Sequence, residues 1–284
     1  MTNFCRFVHT KKKVDEYMAD FLEIRKKVDV IDYTELYYDN WYKNILTKKP
    51  IKKYDTIWLT SSPKVSDRAN WLLYFFNEKQ KKIVNFTWCR KNSKLIQNIF
   101  FDIYSFDHPK TIAFFIKKPF IETYIHIIKK SFIFPIVLKK NKSSKWEWIT
   151  LIQNQSTLKK YFLQHNEEVI IIQEKIINNG DYRIFVVKNT TPLWFKRYNP
   201  NDFRSNLSLG WSYTLFTIPQ AIKKICIDVN KKFGLDFCWI DLFIDDKNIQ
   251  IIEINTLPWY KLKIKDEIWF NLLYELFNKH NFFL

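Results

Sequence analysis

The pattern of hydrophobic and polar residues changes near residue 86, and it predicts a different order of helices and strands on each side of that point. Helical spacing of apolar residues predicts helices at residues 12–28 and 67–80. Short β-branched and aromatic runs predict strands at residues 3–9, 28–33, 54–60 and 82–86. Because strands that alternate with helices usually form a parallel sheet, we predict a small parallel α/β domain at residues 1–86.

Beyond residue 86 the strands follow one another with fewer helices between them. For residues 87–168 we predict strands after Pro109, at 132–139 and at 146–152, with helices at 93–101, 122–130 and 156–163. Asn92 or Ser93 is expected to cap the first of these helices and Ser156 the last. For residues 169–284 we predict helices at 219–233 and 265–279 and strands at 169–173, 182–187, 192–197, 237–244 and 249–255. This arrangement indicates an α+β architecture, and the chain divides into domains 1–86, 87–168 and 169–284.

The last two predicted strands place oxygen-bearing side chains at facing positions. A turn at residues 245–248 separates the strand with Asp241 from the strand with Glu253 and Asn255. A hairpin centred near residue 247 pairs Asp241 with Glu253, and Asn255 shares the face of Glu253. Two facing carboxylates repel each other unless a cation lies between them, and hard oxygen ligands suit Mg²⁺. We therefore predict a metal site on Asp241, Glu253 and Asn255.

A simpler interpretation of this hairpin is an ordinary surface ribbon whose polar face meets water. The metal interpretation makes a sharper prediction. Asp241→Asn or Glu253→Gln should abolish any activity that needs the metal ion and leave the fold intact.

The charge balance allows two interpretations. The formal net charge of +17 favours a polyanionic partner, either nucleic acid or an acidic protein segment. The abundance of Lys, Asn, Ile, Phe and Tyr, with only three Gly, is equally what AT-rich codons produce. Against this lysine-rich background, Arg183, Arg197 and Arg204 lie close together in sequence, and a retained arginine suggests that its planar fork is needed for phosphate or carboxylate.

Several classes of protein are disfavoured. Residues 1–10 do not have the pattern of a secretory signal, and no 18-residue apolar run without charge predicts a membrane span. The four cysteines and five histidines have no metal-ligand spacing, and the scattered cysteines fit a reducing cytoplasm. We expect a cytoplasmic globular protein.

Short motifs occur in a definite order through the second half of the chain. They are Asn92-Ser-Lys94, Pro109-Lys-Thr111, Pro135-Ile-Val-Leu-Lys139, Gln173-Glu-Lys-Ile176, Gly180-Asp-Tyr-Arg183 and Phe203-Arg-Ser-Asn-Leu207, followed by Asp241, Glu253, Asn255 and Pro258. In this order they resemble the motifs of the ATP-grasp fold, and RimK-type carboxylate–amine ligases are the most similar in pattern. The resemblance covers residues 87–284, and residues 1–86 resemble the small α/β domain that usually precedes that fold.

The resemblance implies a role for each motif. It implies that ATP is bound by Lys94, Lys139, Gln173, Glu174, Lys175, Ile176, Asp181, Arg204 and Asn206. In this assignment the two lysines neutralise phosphates, residues 173–176 form the adenine hinge, and Asp181 binds ribose. The same resemblance makes Arg183, Arg197 and Arg204 the catalytic arginines, which hold the transferred phosphoryl group, orient a substrate carboxylate or stabilise an oxyanion.

The implied reaction is ATP-dependent formation of an amide or peptide bond through an acyl phosphate, with two Mg²⁺ or Mn²⁺ ions. The implied partners are a carboxylate and an amine acceptor, such as an amino acid, a peptide or a protein tail. Glutamate is one candidate for the amino acid that is added. No membrane partner is expected, nucleic acid is the less favoured partner, and a homo-oligomer is compatible with the sequence.

Two departures from the family pattern keep other functions open. The loop at residues 141–146 has no glycine where the family has a glycine-rich phosphate loop, and Trp259-Tyr260 follows Pro258 where the family often has glycine. A small-molecule kinase of the same fold, or a non-catalytic nucleotide-binding protein with a basic nucleic-acid surface, are the alternatives. Structural interpretations also exist for the motifs, because Lys94 and Lys139 could be solvated amines and Asp181 could pair with Arg183 on an exposed strand.

Overall fold

The computed structural model describes residues 4–8, 28–32, 35–38, 42–44, 51, 54–59, 66–86, 93–141, 149–177, 180–198, 212–214, 217–245 and 248–255. These residues form three larger sheets and one two-stranded ribbon. Within these ranges, no helix is both long and apolar enough to cross a membrane.

The first sheet joins four parallel strands in the order β2-β1-β5-β6. They are β1 (Phe4–Val8), β2 (Val28–Asp32), β5 (Thr56–Leu59) and β6 (Lys82–Val84), with a ribbon of β3 (Leu36–Tyr38) and β4 (Tyr42–Asn44) between β2 and β5 in sequence. Helix α1 (Ser66–Glu78) packs Leu72, Leu73 and Phe76 against Ile57 of β5. The predicted parallel α/β arrangement is confirmed. The ribbon was not predicted, because its three-residue strands are too short to show a pattern.

Helix α2 (Lys94–Ile103) precedes the second sheet, in which all neighbouring strands are antiparallel and the order is β7-β10-β8-β9. Its strands are β7 (Thr111–Phe115), β8 (Ile136–Lys140), β9 (Ile149–Ile152) and β10 (Val169–Glu174). Helices α3 (Ile121–Ser131) and α4 (Gln155–Gln164) share a core with Ile136 and Leu138 of β8. Because side chains alternate along a strand, Val137 and Lys139 lie on the opposite face of the sheet.

The third sheet is also antiparallel and has the order β13-β12-β11-β14-β15. Its strands are β11 (Asp181–Val187), β12 (Thr190–Tyr198), β13 (Ser212–Thr214), β14 (Phe237–Ile244) and β15 (Ile249–Asn255). Helix α5 (Gln220–Lys232) packs Ile222 and Val229 against Ile184, Ile240 and Leu242 of the sheet. Alternation therefore assigns the odd-numbered residues of β11 and the central part of β14 to the face opposite α5.

Helix α2 connects the second and third sheets. Its Phe101 is fully buried in the core of the third sheet. The side-chain amide of Gln97 accepts from the Ile254 backbone N–H at 2.9 Å and donates to the Ile254 carbonyl at 3.2 Å, so it occupies the outer edge of β15. At the N-terminus of α2, Asn141 from the end of β8 accepts from the Ser93 hydroxyl and the Leu95 N–H. The first turn of α2 is thereby fixed between the two sheets.

Several predicted boundaries are corrected. Strand β8 begins at Ile136 and not at residue 132, and the cap of α4 is Asn154, whose side chain accepts from the Thr157 N–H, and not Ser156. Ser93 caps α2, as one of the two predicted alternatives. The helix predicted at residues 12–28 lies outside the described residues except for Val28, which belongs to β2, and the helix predicted at 265–279 lies wholly outside them. The division into three domains stays a prediction.

Candidate functional site

Strands β14 and β15 place Asp241 opposite Glu253, as the turn composition predicted. The hairpin that produces this pairing is not the regular one that was expected. Nearer the turn, Leu242 pairs with Ile251, so an irregularity at Ile252 shifts the register by one position before Glu253. Without that bulge, Glu253 would lie on the other face of the sheet. Asn255 pairs with Trp239 and so shares the face of Glu253.

The register of the third sheet collects polar side chains on the face away from α5. Asp181 pairs with Arg197 across β11 and β12, and Arg183 pairs with Asp241 across β11 and β14. Since cross-strand partners lie on one face, this face presents Asp181, Arg183, Arg197, Asp241, Glu253 and Asn255. All but Asn255 are among the residues that form ion pairs in the described part of the chain. The surface-ribbon interpretation is wrong for Asp241, which is buried.

Arg183 and Arg197 share the Asp241 carboxylate. Arg183 donates from Nε to Oδ1 at 2.7 Å and from Nη2 to Oδ2 at 2.6 Å, and Nη2 of Arg197 lies 3.1 Å from Oδ2. Arg197 also donates to both oxygens of Asp181, at 2.5 and 2.8 Å. The alternative expectation, an exposed ion pair between Asp181 and Arg183, is therefore wrong. Asp181 pairs instead with Arg197 of β12, and Arg183 pairs with Asp241 of β14.

The protonation of this network follows from its pairing. Burial alone would raise the pKa of Asp241, but Arg183 and Arg197 outweigh it and hold that pKa at about 2. Burial raises the pKa of Asp181, which has Arg197 as its hydrogen-bonded cation and the Asp241 charge nearby. Burial opposes the charge of Arg197 too, but the two carboxylates outweigh this and raise its pKa above the ordinary value. Of Asp181 and Asp241, Asp241 is thus the carboxylate that stays ionised more firmly.

Lys94, in the first turn of α2, lies against β15. Its Nζ donates to Oε1 of Glu253 at 2.7 Å, with side chains that are 12% and 26% exposed. The Gln97 contact with Ile254, one helical turn away, explains why the amine reaches this carboxylate. The predicted phosphate-binding lysine and the predicted metal ligand are therefore neighbours.

Lys139 belongs to the same site, although it lies on the second sheet. Burial lowers its pKa to about 8, and the charges that act on it are those of Glu253, Lys94 and Asp241. Glu253 and Asp241 raise the pKa and Lys94 lowers it, so burial is only partly offset. The interpretation of Lys94 and Lys139 as solvated amines does not fit these surroundings.

The predicted adenine hinge lies at the end of β10. The buried Gln173 side chain donates to Thr111 Oγ1 at 2.9 Å and to Asn98 Oδ1 at 3.2 Å, so it joins β10 to α2. Glu174 accepts from the Lys110 backbone N–H at 2.7 Å. Lys175 is exposed and Ile176 partly buried. The adenine role of residues 173–176 stays a prediction.

Two of the predicted residues, Arg204 and Asn206, lie outside the described residues, as do Pro258 and the loop from residue 142 to 148. Sequence reasoning missed Gln97 and Asn141, which position Lys94. Neither residue had a local signal in the sequence, because Asn141 lies more than forty residues from the helix start that it contacts and Gln97 more than a hundred and fifty from Ile254.

Gly180 precedes Asp181 with φ of +108°, and a Cβ there would lie 2.0 Å from the Arg197 carbonyl oxygen. Because that atom is backbone in a paired strand, we expect Gly180→Ala to lower the free energy of unfolding by about 3 kcal/mol. Gly234→Ala, at φ +65°, is the matched control and should cost only about 1 kcal/mol. Urea unfolding of both variants measures the difference, and equal losses would show that the contact with β12 has no special cost.

The chemistry of these side chains fits a divalent ion. Within the described residues, no group of three or more His, Cys, Asp and Glu side chains is placed to hold a metal ion, and the candidate set is two carboxylates and one amide. Asp241 is ionised, and Glu253 lies opposite it across β14 and β15. Mg²⁺ is commonly held by one or two carboxylates together with substrate phosphates, which matches this set.

The sequence and the fold are similar to those of known proteins. Residues 108–276, more than half of the chain, match the family of RimK-like ATP-grasp domains. The alpha-aminoadipate–LysW ligase LysX of Saccharolobus solfataricus is 27% identical over 187 residues, which cover 63% of this chain and 66% of LysX. A probable alpha-L-glutamate ligase of Haemophilus influenzae is 28% identical over 131 residues, covering 44% of this chain and 43% of that protein. The chain spans less than two thirds of the length of these curated relatives.

Solved structures of low sequence identity share the fold. The ATP-grasp ligase PsnB complexed with a minimal precursor has a TM-score of 0.68 at 13% identity, over 92% of both chains. The D-alanine–D-alanine ligase of Bacillus anthracis complexed with ATP has a TM-score of 0.62 at 12% identity, over 91% of this chain and 87% of that one. The predicted ATP-grasp fold is confirmed.

Proposed function

Because the chain belongs to the RimK-like ATP-grasp family, we propose that it is an ATP-dependent carboxylate–amine ligase. In the first step a substrate carboxylate oxygen attacks the γ-phosphorus of ATP, and ADP leaves. In the second step an amine attacks the carbonyl carbon of the acyl phosphate, the bond from that carbon to the bridging oxygen breaks so that inorganic phosphate leaves with this oxygen, and the amine loses a proton. A carboxylate needs this activation because its oxide is a poor leaving group.

The observation that supports this function is the convergence of three segments that are distant in sequence. Lys94 of α2 and the Glu253 carboxylate of β15 lie 2.7 Å apart, and both act electrostatically on Lys139 of β8. Phosphoryl transfer depends mainly on positioning and on neutralising phosphate charge. Cations from two sheets beside a pair of carboxylates meet both needs, and no nucleophilic side chain is required.

Each residue then has a defined task. Lys94 and Lys139 bind phosphate oxygens, and Asp241, Glu253 and Asn255 hold the divalent ion. That ion supplies neutralisation of phosphate charge when it is bound. Arg183, whose side chain is 22% exposed, lies at the open side of the network and orients the substrate carboxylate. Arg197 is buried at 6% exposed, so we assign it to positioning of Asp181 and Asp241.

The low pKa of Lys139 gives a test of its phosphate role. Phosphate binding favours the protonated amine of Lys139. Metal-free ADP should therefore bind tightly at pH values below 8, and its affinity should fall above pH 8 as Lys139 loses its proton. Between pH 7 and 9.5 we expect a loss of about tenfold in affinity, which equals about 1.4 kcal/mol. Calorimetric titration across this range measures it. In Lys139→Arg the arginine stays charged across this range, so the variant should show no inflection in ADP affinity. The same pH profile in wild type and variant would exclude Lys139 as the source of the inflection.

The substrates are proposed from the relatives. LysX is named as a ligase of alpha-aminoadipate and LysW, another relative is named as a probable alpha-L-glutamate ligase, and PsnB was solved with a precursor peptide. We accordingly propose that one substrate is an amino acid and that the other is a peptide or protein. Two metal ions, Mg²⁺ or Mn²⁺, are proposed to accompany ATP.

The function is tested by incubating the protein with ATP, Mg²⁺ and a panel of amino acids and acidic peptides, with and without amines. Phosphate release that requires both a carboxylate and an amine, with an amide product detected by mass spectrometry, is the expected result. A stable phosphorylated product without amine would instead identify a small-molecule kinase. Salt-sensitive DNA binding without ATP hydrolysis would support the non-catalytic alternative.

A further inference from the structure

The two carboxylates proposed to hold the metal ion already have cationic partners within the protein. Glu253 accepts from Lys94, and Asp241 accepts from Arg183 and lies 3.1 Å from Arg197. The Lys94–Glu253 pair is largely shielded from water, so the solvent screens it less than a surface ion pair. A divalent ion that approaches Glu253 therefore competes with an amine for the same carboxylate.

The charge of the site also opposes a free cation. Among the site residues that the structure describes, four side chains are positive (Lys94, Lys139, Arg183 and Arg197) and three are carboxylates (Asp181, Asp241 and Glu253). A free divalent ion therefore enters a site of net positive charge. A nucleoside polyphosphate brings several negative charges and reverses that sign, and its oxygens are also ligands that the ion can use.

We infer that Lys94 has two alternative partners and thereby makes metal binding conditional on nucleotide. Without nucleotide, its amine neutralises Glu253 and keeps the metal position closed. With nucleotide, the amine moves to a phosphate oxygen, and Glu253 becomes available to a divalent ion. This inference rests on the proposed nucleotide site.

The structure favours Lys94 as the side chain that exchanges partners. Arg183 is held by a two-bond fork between adjacent strands, and Arg197 is buried between two carboxylates. Lys94 donates to Oε1 of Glu253 from the end of a flexible four-carbon stem, and the backbone of its helix is fixed by Gln97 and Asn141. Its amine can therefore move without any movement of α2.

The test measures Mn²⁺ binding to the full chain by electron paramagnetic resonance, with and without a non-hydrolysable ATP analogue. Wild-type protein should bind Mn²⁺ weakly alone and tightly with the analogue. Lys94→Met should bind Mn²⁺ alone about tenfold more tightly than wild type, because the closed state is removed. Lys139→Met removes an equal charge without the contact to Glu253 and should tighten binding less, by under about threefold.

A control variant and a fold check complete the design. Lys81→Met removes a lysine paired with Asp55 at 2.8 Å on the first sheet and should leave Mn²⁺ binding unchanged. Lys94→Gln, with its thermal unfolding curve, covers the case in which the Met variant folds poorly. Equal Mn²⁺ affinity of wild type and both Lys94 variants in the absence of nucleotide would overturn the inference and leave the proposed function standing. Failure of the wild type to bind Mn²⁺ even with the analogue would instead overturn the proposed nucleotide site.

Discussion

Glu253→Gln is expected to lower the rate of ATP turnover by about a thousandfold and to leave the protein folded. The substitution keeps the size of the side chain and an oxygen that can still accept from Lys94, but it removes the charge that faces Asp241 across β14 and β15. Because Glu253 is partly exposed, its neutral form has little effect on the core. Coupled-enzyme detection of ADP measures the rate, and thermal unfolding measures the fold.

Glu168→Gln is the matched control for this variant. Glu168 also accepts from a lysine, Lys140, but on the second sheet and outside the proposed site. It should keep turnover within about twofold of wild type, since the substitution removes a charge that the proposed site does not use. Wild-type turnover in Glu253→Gln would remove Glu253 from the metal assignment.

The structure changes the expectation for the second acidic substitution. Asp241→Asn was expected to leave the fold intact. However, the Asp241 carboxylate is buried and is held by Arg183 and Arg197, so neutralising it leaves two arginines with less compensation. Loss of turnover in this variant would combine a metal effect with a stability effect, which is why Glu253→Gln is the cleaner test.

Arg197→Met is expected to lower the free energy of unfolding by about 3–5 kcal/mol. The variant leaves Asp181 buried without the fork that satisfies both of its oxygens, and it removes one of the two cations beside Asp241. Since folded domains are commonly stable by about 5–15 kcal/mol, this loss is a large part of the total. Urea unfolding at pH 7 measures it.

Two further variants identify the cause of that loss. Arg183→Met removes a partner of Asp241 that is more exposed, and it should cost clearly less than Arg197→Met because Arg197 remains. Adding Asp181→Asn to Arg197→Met removes the unpaired charge and should recover part of the stability. If the double variant were no more stable than Arg197→Met alone, the loss would come from packing and not from charge.

The parts of the fold that local patterns determine were predictable. Alternating strands and helices identified the parallel sheet, and β14 and β15 begin and end at the predicted residues. The turn at 245–248 predicted that β14 and β15 form a hairpin, but the pairing of Asp241 with Glu253 also requires the bulge at Ile252. The bulge at Ile252 was not predictable, since it depends on the packing of β15 as a whole.

The partners of the arginines required knowledge of pairing between distant strands. Asp181, Arg183 and Arg197 were recognised as functional candidates, but sequence spacing suggested that Asp181 pairs with Arg183, two positions away. The observed pairs depend on the register between β11, β12 and β14, and Asp241 lies 58 residues beyond Arg183 in sequence. Contacts of this kind are set by tertiary packing and not by a local pattern.

Lys94 and Lys139 could be singled out among the many lysines only by their resemblance to the family motifs. Composition and periodicity place Lys139 on a strand and Lys94 at a helix start, but they do not show that the two lysines lie near each other. Their shared surroundings arise because Asn141 and Gln97 fix α2 between two sheets. Side-chain hydrogen bonds between distant elements have no signature in a single sequence.

A crystal structure with a non-hydrolysable ATP analogue and Mg²⁺ tests the central claim most directly. We predict an ion at about 2.0–2.1 Å from oxygens of Asp241, Glu253 and Asn255, with phosphate oxygens beside Lys94 and Lys139. A nucleotide bound elsewhere, or an ion that none of these three side chains contacts, would contradict the account.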